Sequence, residues 1–290
     1  MQDIYILGSG AMGCLWASYF NNTMPIHFIT RASTPSEFDF VKKPTNSIVK
    51  TDKIDVQTFN KSNQTIERLI ICTKAFDSLN AIQSIQHKLV NDCQVILIQN
   101  GMGSQQAIAK QFPHLAIYAC SSTEGAYKES ENILVHAGSG ENHIGPLTSS
   151  ATEADLSAWL PSSFYHWHTD IEPVLWKKLI INAAINPLTV IFNCKNGQLL
   201  KDKKAHLTMQ SLCAELDELC KALSLDLTPA IVLAESICES TANNFSSMYQ
   251  DSHHQRHTEI DYITGFIIAQ CENLSIPCPV NKSLYVQISS

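Results

Sequence analysis

The stretch Tyr5–Phe20, YILGSGAMGCLWASYF, decides the fold. An apolar run ends at Leu7, glycines follow at Gly8, Gly10 and Gly13, and a proline-free, helix-favouring run extends from Ala11 to Phe20. Strand, tight turn and helix in that order are the dinucleotide fingerprint, a glycine triplet in its required context. Gly8 permits the turn, Gly10 lets a pyrophosphate reach the backbone, and Gly13 lets helix and strand pack closely. Phosphates then meet free N–H groups at the positive end of a helix, so Gly8, Ser9, Gly10, Ala11, Met12 and Gly13 are the first candidate cofactor contacts.

From that turn to about His143, short β-rich runs alternate with polar or helical stretches: PIHFIT (25–30), RLIICTK (68–74), QVILIQN (94–100) and AIYACSS (116–122). This rhythm predicts a parallel, doubly wound sheet. NILVHAGSG and HIGP read as a hairpin closing that sheet, and 147–163 as a small, polar stretch with one amphipathic helix. Beyond Asp170 helices take over. The first is DIEPVLWKKLIINAAINPLTVIF, with Asp170 as N-cap and Pro173 in its first turn; others are expected over about 203–223, 229–241 and 254–272. The chain reads as an α/β protein: residues 1–168 form an N-terminal Rossmann-type, dinucleotide-binding domain with a doubly wound parallel sheet, and residues 169–290 a C-terminal all-helical domain. No repeat, low-complexity tract or long linker separates them, so a rigid shared cleft is expected.

With 290 residues, 44% hydrophobic and 16% charged, the chain can bury a large core in two domains. A net charge of -7 without any Lys/Arg block excludes nucleic acid or an anionic membrane as main partner and leaves a small molecule. The ten cysteines are scattered singly, the closest spacings being Cys213/Cys220 and Cys271/Cys278, and read as buried thiols rather than disulfides or zinc ligands. No signal peptide precedes the first strand, and no apolar stretch is read as approaching the ~20 residues that span a bilayer. A cytoplasmic protein, monomer or homodimer, is expected.

An NAD site normally ends its second strand in a carboxylate for the ribose diol; here the strand ends ITRAS, and Arg31 suits a 2′-phosphate instead. NADP is therefore the expected dinucleotide. Lys178, Asn182 and Asn186, spaced by four, form one helical stripe, while Ile180, Ile181, Ala184 and Ile185 take other faces. One ammonium and two carboxamides are costly as pure core, so the stripe is expected to face a cleft. Pro187 removes a backbone donor from this helix and invites a kink at the Ala183 carbonyl. In the helix expected over 254–272, Glu259 shares a face with Tyr262, Ile263 and Phe266; the alternative is a first-turn acid favoured by the helix dipole. His253 and His257 lack an acidic or cysteine ligand at metal spacing and read as a solvated face, with no metal.

Taken together, GSGAMG, TKAFD, QNGMG, HIGP, WKKLIINAAINPLTVIFNCKNGQL, NNFSSMYQD and RHTEIDYITGF resemble the ketopantoate reductases, or 2-dehydropantoate 2-reductases, nearly end to end. The resemblance implies reduction of 2-dehydropantoate to (R)-pantoate with NADPH, on the route to pantothenate and coenzyme A, at a site between a Rossmann and a helical domain. It makes Lys178, the second lysine of WKK rather than Lys177, the proton donor, and Asn182, Asn186 and Asn196 substrate-binding amides. It further assigns Asn244 and Ser247 to the substrate carboxylate, Lys74 and Asn100 to the cofactor with Asn100 also near substrate, Ala126 to the cofactor, and Glu259 to both nicotinamide and substrate. The segment SSTEGAYK departs from the pattern, with Glu124 where many relatives carry histidine and Gly125 where alanine is usual. Two rivals remain: a reductase of another 2-oxo acid or imine, and a non-catalytic NADPH-binding regulator. Keeping both Lys178 and Glu259 speaks against the regulator, and Arg31 speaks against a methyltransferase, whose S-adenosylmethionine has no 2′-phosphate.

Overall fold

The computed structural model describes residues 3–20, 23–30, 37–42, 50–55, 57–58 and 65–289. The chain divides into two compact units, Met1–Gln99 with Ser104–Ile171, and Asn100–Gly103 with Glu172–Ser290. This division lies beside the 168/169 boundary read from the sequence and gives the short Asn100–Gly103 segment to the helical unit.

In the first unit the strands are β1 (Ile4–Leu7), β2 (Ile26–Ile29), β3 (Glu37–Lys42), β4 (Lys50–Asp55), β5 (Gln57–Thr58), β6 (Ile66–Ile71), β7 (Leu89–Leu97), β8 (Ala116–Ser122), β9 (Gly125–Ser130), β10 (Ile133–Gly138), β11 (Asn142–Pro146) and β12 (His166–Trp167). Its helices are α1 (Ala11–Phe20), α2 (Ala75–Ile85), α3 (Ser104–Gln111) and α4 (Glu153–Ser157). Among the described residues the main sheet has the order β12-β11-β8-β7-β6-β1-β2-β5, parallel from β8 through to β5.

Alternation along the central strands builds two cores, because successive side chains leave a strand on opposite faces. Ile4 and Ile6 of β1, Ile70 of β6, Ile96 of β7 and Tyr118 of β8 join Trp16 and Phe20 of α1 on one face. Tyr5, Leu7, Leu69, Ile71, Val95, Leu97 and Ile117 join Ile82 of α2 and Ile108 of α3 on the other. Helices on both faces explain why these strands read as near-continuous apolar runs. Each fully buried Ile or Phe contributes roughly 1.5–3 kcal/mol.

The hairpin expected from NILVHAGSG and HIGP does not form. The first run is β10, which lies antiparallel to β9 and parallel to β3 in a separate sheet of order β4-β3-β10-β9. HIGP falls in β11, which pairs antiparallel with β8 in the main sheet. The chain crosses between sheets at Gly140, where a Cβ would meet the Thr123 backbone carbonyl carbon at 2.4 Å, and Glu141 N donates to Thr123 Oγ1. Local pattern identifies a strand but not its partner, which is why the second sheet escapes a reading of the sequence.

The second unit contains α5 (Glu172–Ile191), α6 (Gln198–Lys201), α7 (Lys203–Ala222), α8 (Ala230–Ser240), α9 (Ser247–His253), α10 (Phe266–Asn273) and α11 (Pro279–Ser289). Central α5 packs against α7, α8, α9 and α11. By length and composition α5 could cross a bilayer, which corrects the expectation that no stretch comes near that length; most of it is buried, as a core helix is. It runs through Pro187 as one helix, the proline being buried. Acidic side chains on α7 organise its neighbours. Asp202 caps α7 itself through Lys204 N and Ala205 N, Asp217 accepts from Ala230 N at the start of α8, and Glu215 accepts from Val280 N and Asn281 N at the start of α11.

None of the ten cysteines forms a disulfide; nine of them are buried and Cys72 is half-buried. Burial is the main cause that pushes the thiols up, to about 12 at Cys93, Cys213, Cys238 and Cys271 and to about 11 at Cys220.

The glycine turn yields a test by contrast. A Cβ at Gly13 would sit 2.0 Å from the Gly8 carbonyl oxygen, whereas one at Gly10 meets nothing within 4 Å. Gly13→Ala is expected to lower stability in urea denaturation by about 1–3 kcal/mol, and Gly10→Ala by no more than ~0.5 kcal/mol. Equal losses would refute the close approach of α1 to the turn.

Candidate active site

In the first unit the candidate cofactor residues gather around the end of β1. Gly8 has φ of +106°, a conformation that side chains resist, and its N–H donates to the Ile29 carbonyl of the neighbouring strand. The first intrahelical bond of α1 runs from Cys14 N to the Gly10 carbonyl, so the N–H groups of Ala11, Met12 and Gly13 have no acceptor within the helix. With open space at Gly10 above them, these donors at a helix N-terminus fit the pyrophosphate of a dinucleotide. Ser9, Ala11 and Met12 are half-buried beside them.

The turn abuts the end of β6, since a Cβ on Gly8 would stand 3.1 Å from Thr73 N. Lys74 follows at once as the extended N-cap residue of α2, half-buried. Gln99, in the QNGMG motif but given no role by the sequence, ties this region together: its Nε2 donates to the Ile71 carbonyl at 2.8 Å and to the Thr73 carbonyl at 3.3 Å. Ala126 is half-buried in β9. Arg31 lies outside the described residues.

In the second unit Lys178 and Asn182 are half-buried on α5 and Asn186 is buried, whereas Lys177 is exposed. The register expected for the stripe thus separates the two adjacent lysines. Below it, Thr189 Oγ1 donates to the Asn186 carbonyl and lies 2.7 Å from Ser246 Oγ, linking α5 to the segment before α9. Ser246 Oγ accepts from Tyr249 N as the N-cap of α9, which leaves Ser247 exposed in the first turn. Asn196 N donates to the Asn244 carbonyl, and its Nδ2 donates to Thr241 Oγ1. This docking is close: a Cβ on Gly197 would approach Ala242 Cβ to 2.6 Å. Asn196 is buried with its Oδ1 unpartnered, while Asn244 is exposed.

The helix expected from His254 begins later, as a π-helical turn over Asp261–Gly265 that leads into α10. Arg256 N bonds the Asp251 carbonyl and Arg256 Nε pairs with the Asp251 carboxylate, which closes the chain after α9 and delays the new helix. Glu259 therefore precedes the helix, its carbonyl accepting from Tyr262 N and Ile263 N. The face shared with Phe266 gives way to the alternative reading of an acid at a helix start. Its residue is nonetheless 5% exposed, and Asn100 Nδ2 donates to Glu259 Oε2 at 3.4 Å. Gly101 makes this contact feasible, having φ of +80° with a Cβ position only 2.2 Å from the Tyr262 carbonyl oxygen. His253 ends α9 and His257 lies exposed in the following loop, so the two share no helical face. Among the described residues no group of three or more His, Cys, Asp or Glu could hold a metal ion.

Residues 4–149 match the family model described as Ketopantoate reductase PanE/ApbA, and residues 170–290 its counterpart, Ketopantoate reductase PanE/ApbA C terminal. A Vibrio cholerae protein named 2-dehydropantoate 2-reductase is 30% identical over all of this chain and 97% of its own length. A PanE/ApbA family ketopantoate reductase from Ralstonia eutropha JMP134 superposes with a TM-score of 0.85 at 22% identity, covering 99% of this chain and 97% of that one. A D-mandelate dehydrogenase solved with NADH and anilino(oxo)acetate superposes with a TM-score of 0.84 at 22% identity over 99% and 97% of the two chains. At that identity the two structures share the fold.

Adjacent serines separate support from chemistry. Ser246→Ala removes both the α9 cap and a buried partner of Thr189, and is expected to cost about 1–2 kcal/mol in urea denaturation. Ser247→Ala, at an exposed position, should leave stability within ~0.5 kcal/mol; the reverse order would overturn this placement of α9.

Proposed function

The chain belongs to the ketopantoate reductase family, and we propose that it reduces 2-dehydropantoate to (R)-pantoate with NADPH, on the route to pantothenate and coenzyme A. The observation that carries this reading is the α5 stripe: one half-buried ammonium, Lys178, followed at spacings of four by the carboxamides of Asn182 and Asn186. In this reading residues 1–168 serve the cofactor and residues 169–290 supply the groups that act on substrate.

Bound NADPH would supply the hydride; the turn Gly8–Gly13 would hold its pyrophosphate, Arg31 its 2′-phosphate, and Lys74, Asn100, Ala126 and Glu259 other parts of it. Reduction builds negative charge on the keto oxygen, and Lys178 Nζ is the group that stabilises the charge and gives the oxygen its proton. Asn182, Asn186 and Asn196 orient the substrate hydroxyl without adding charge, while Asn244 and Ser247 receive the carboxylate. Glu259, whose carboxylate accepts from the Asn100 amide, sits with its acceptor oxygens toward a residue assigned to cofactor and substrate alike.

The same reading takes the enzyme to be cytoplasmic, working on a small molecule rather than nucleic acid or membrane, as a monomer or homodimer. Its ten cysteines, none in a disulfide, support a reducing compartment. A second reading, reduction of a different 2-oxo acid, is favoured by the D-mandelate dehydrogenase that shares this fold.

Loss of NADPH absorbance with a panel of 2-oxo acids distinguishes them. A site whose amides bond a substrate hydroxyl rejects the analogue without it by as much as ~10⁴ in kcat/KM. The expected order places 2-dehydropantoate far above 3,3-dimethyl-2-oxobutanoate, which lacks only that hydroxyl. Similar values would remove hydroxyl recognition, and a faster unrelated 2-oxo acid would move the assignment to the second reading.

Lys178→Ala should lower kcat by about 10²–10⁴ with little change in NADPH affinity, the signature of a lost proton donor. Lys177→Ala, at the exposed neighbour, should be mild. Interchangeable effects on turnover would place the donor elsewhere.

A further inference from the structure

We propose that Glu124 is a positioning residue for the dinucleotide, clamping the β8–β9 turn that presents Ala126 onto α1 through Tyr19 and His136; the inference rests on the reductase reading above. The Tyr19 hydroxyl donates to Glu124 Oε1 at 2.9 Å, and His136 Nε2 lies 2.5 Å from Glu124 Oε2. The contact is built into the fold, with the His136 and Glu124 side chains 5% and 10% exposed. Its place in the ladder is specific. His136 stands directly across β10–β9 from Ala126, and Glu124 lies two residues before Ala126 in the chain. One carboxylate therefore joins three things: the helix that begins at the glycine turn, the strand opposite Ala126, and the turn leading to Ala126.

Other contacts hold this arrangement in place. The Tyr19 ring stacks on Phe164 at 5.1 Å, and Glu124 N donates to Ser122 Oγ at the end of β8. Ala126 packs against the same core as Ala11 and Met12, the residues at the start of α1. Burial first, then the neighbouring carboxylate, pushes the Tyr19 phenol far above its ordinary range, so it stays a donor at any working pH. Tyr19, Glu124 and His136 also line an open cleft of about 600 Å³, with Ser18 and Asn142. Water can enter a truncated site there, so substitution loosens the clamp without emptying a sealed core.

Where many relatives carry histidine, this chain thus places an acceptor for both a phenol and an imidazole. Charge-assisted hydrogen bonds in so buried a setting are among the stronger ones available. Their loss is felt where the turn meets the cofactor, not at the substrate.

The test measures NADPH dissociation by nucleotide fluorescence alongside steady-state kinetics and thermal unfolding. Glu124→Ala should raise Kd and KM for NADPH about tenfold with kcat and the substrate KM within about twofold. Glu124→Gln, which keeps an acceptor, should recover binding to within about threefold of the wild type. Tyr19→Phe keeps the stack on Phe164 but loses one bond, and should raise Kd about threefold. A folded Glu124→Ala protein with unaltered Kd, or a fall in kcat at unaltered Kd, overturns the proposal. If that variant does not fold, Tyr19→Phe decides, and a wild-type Kd there overturns it. Failure of the reductase reading shows separately, as a wild-type chain that binds NADPH but reduces no 2-oxo acid.

Discussion

No side chain fits at residue 13: a Cβ would lie 2.0 Å from the Gly8 carbonyl oxygen, where the preceding turn opens. That one steric constraint lets α1 lie down on β1, and the rest of the first unit follows from the helix being there. With Gly13 against the turn, helical periodicity sends Trp16, Ala17 and Phe20 inward to the same core, all buried. Tyr19, one step aside, comes to the flank that the small sheet covers, within reach of Glu124. The close approach also strips the helix start of bulk, where the N–H groups of Ala11, Met12 and Gly13 have no acceptor within the helix.

The main sheet was legible in the sequence because its strands are buried on both faces and its helices start at recognisable signals. Ile4–Leu7 and Ala116–Ser122 read as strands from composition alone, and α5, α7 and α8 follow the expected ranges closely. What escaped depended on partners rather than pattern. β3 and β4 carry charged residues at most alternate positions, so nothing in EFDFVK or KTDKID announces that they complete a second sheet with β9 and β10. The helix expected from His254 failed because an Arg256–Asp251 contact, invisible to periodicity, holds that stretch in a loop.

The candidate site divides along the same line. Residue types and spacings pointed to Lys178, Asn182, Asn186 and Glu259, and the family motifs to Asn100, Asn196, Asn244 and Ser247. The groups that support them carry no sign of their role in the sequence. Ser246 looks like any serine in NNFSS, yet it caps α9 and bonds Thr189. Gln99 reaches two carbonyls across the sheet, and His136 meets Glu124 only because β10 folds back on β9. Such contacts join residues far apart in the chain, and single-sequence reasoning has no access to that distance.

The ten thiols, none of them in a disulfide, have a consequence beyond packing. Four of them, Cys14, Cys72, Cys93 and Cys120, belong to the first unit and six to the second. A thiol that is buried and held largely protonated reacts with electrophiles only when the structure around it opens, so its labelling rate is a clock for local opening. The distribution equips each unit with its own set of internal reporters at native positions. Time-resolved alkylation would then register which unit breathes first, and the order of modification along the chain would trace the hierarchy of cooperative substructures without a single introduced probe.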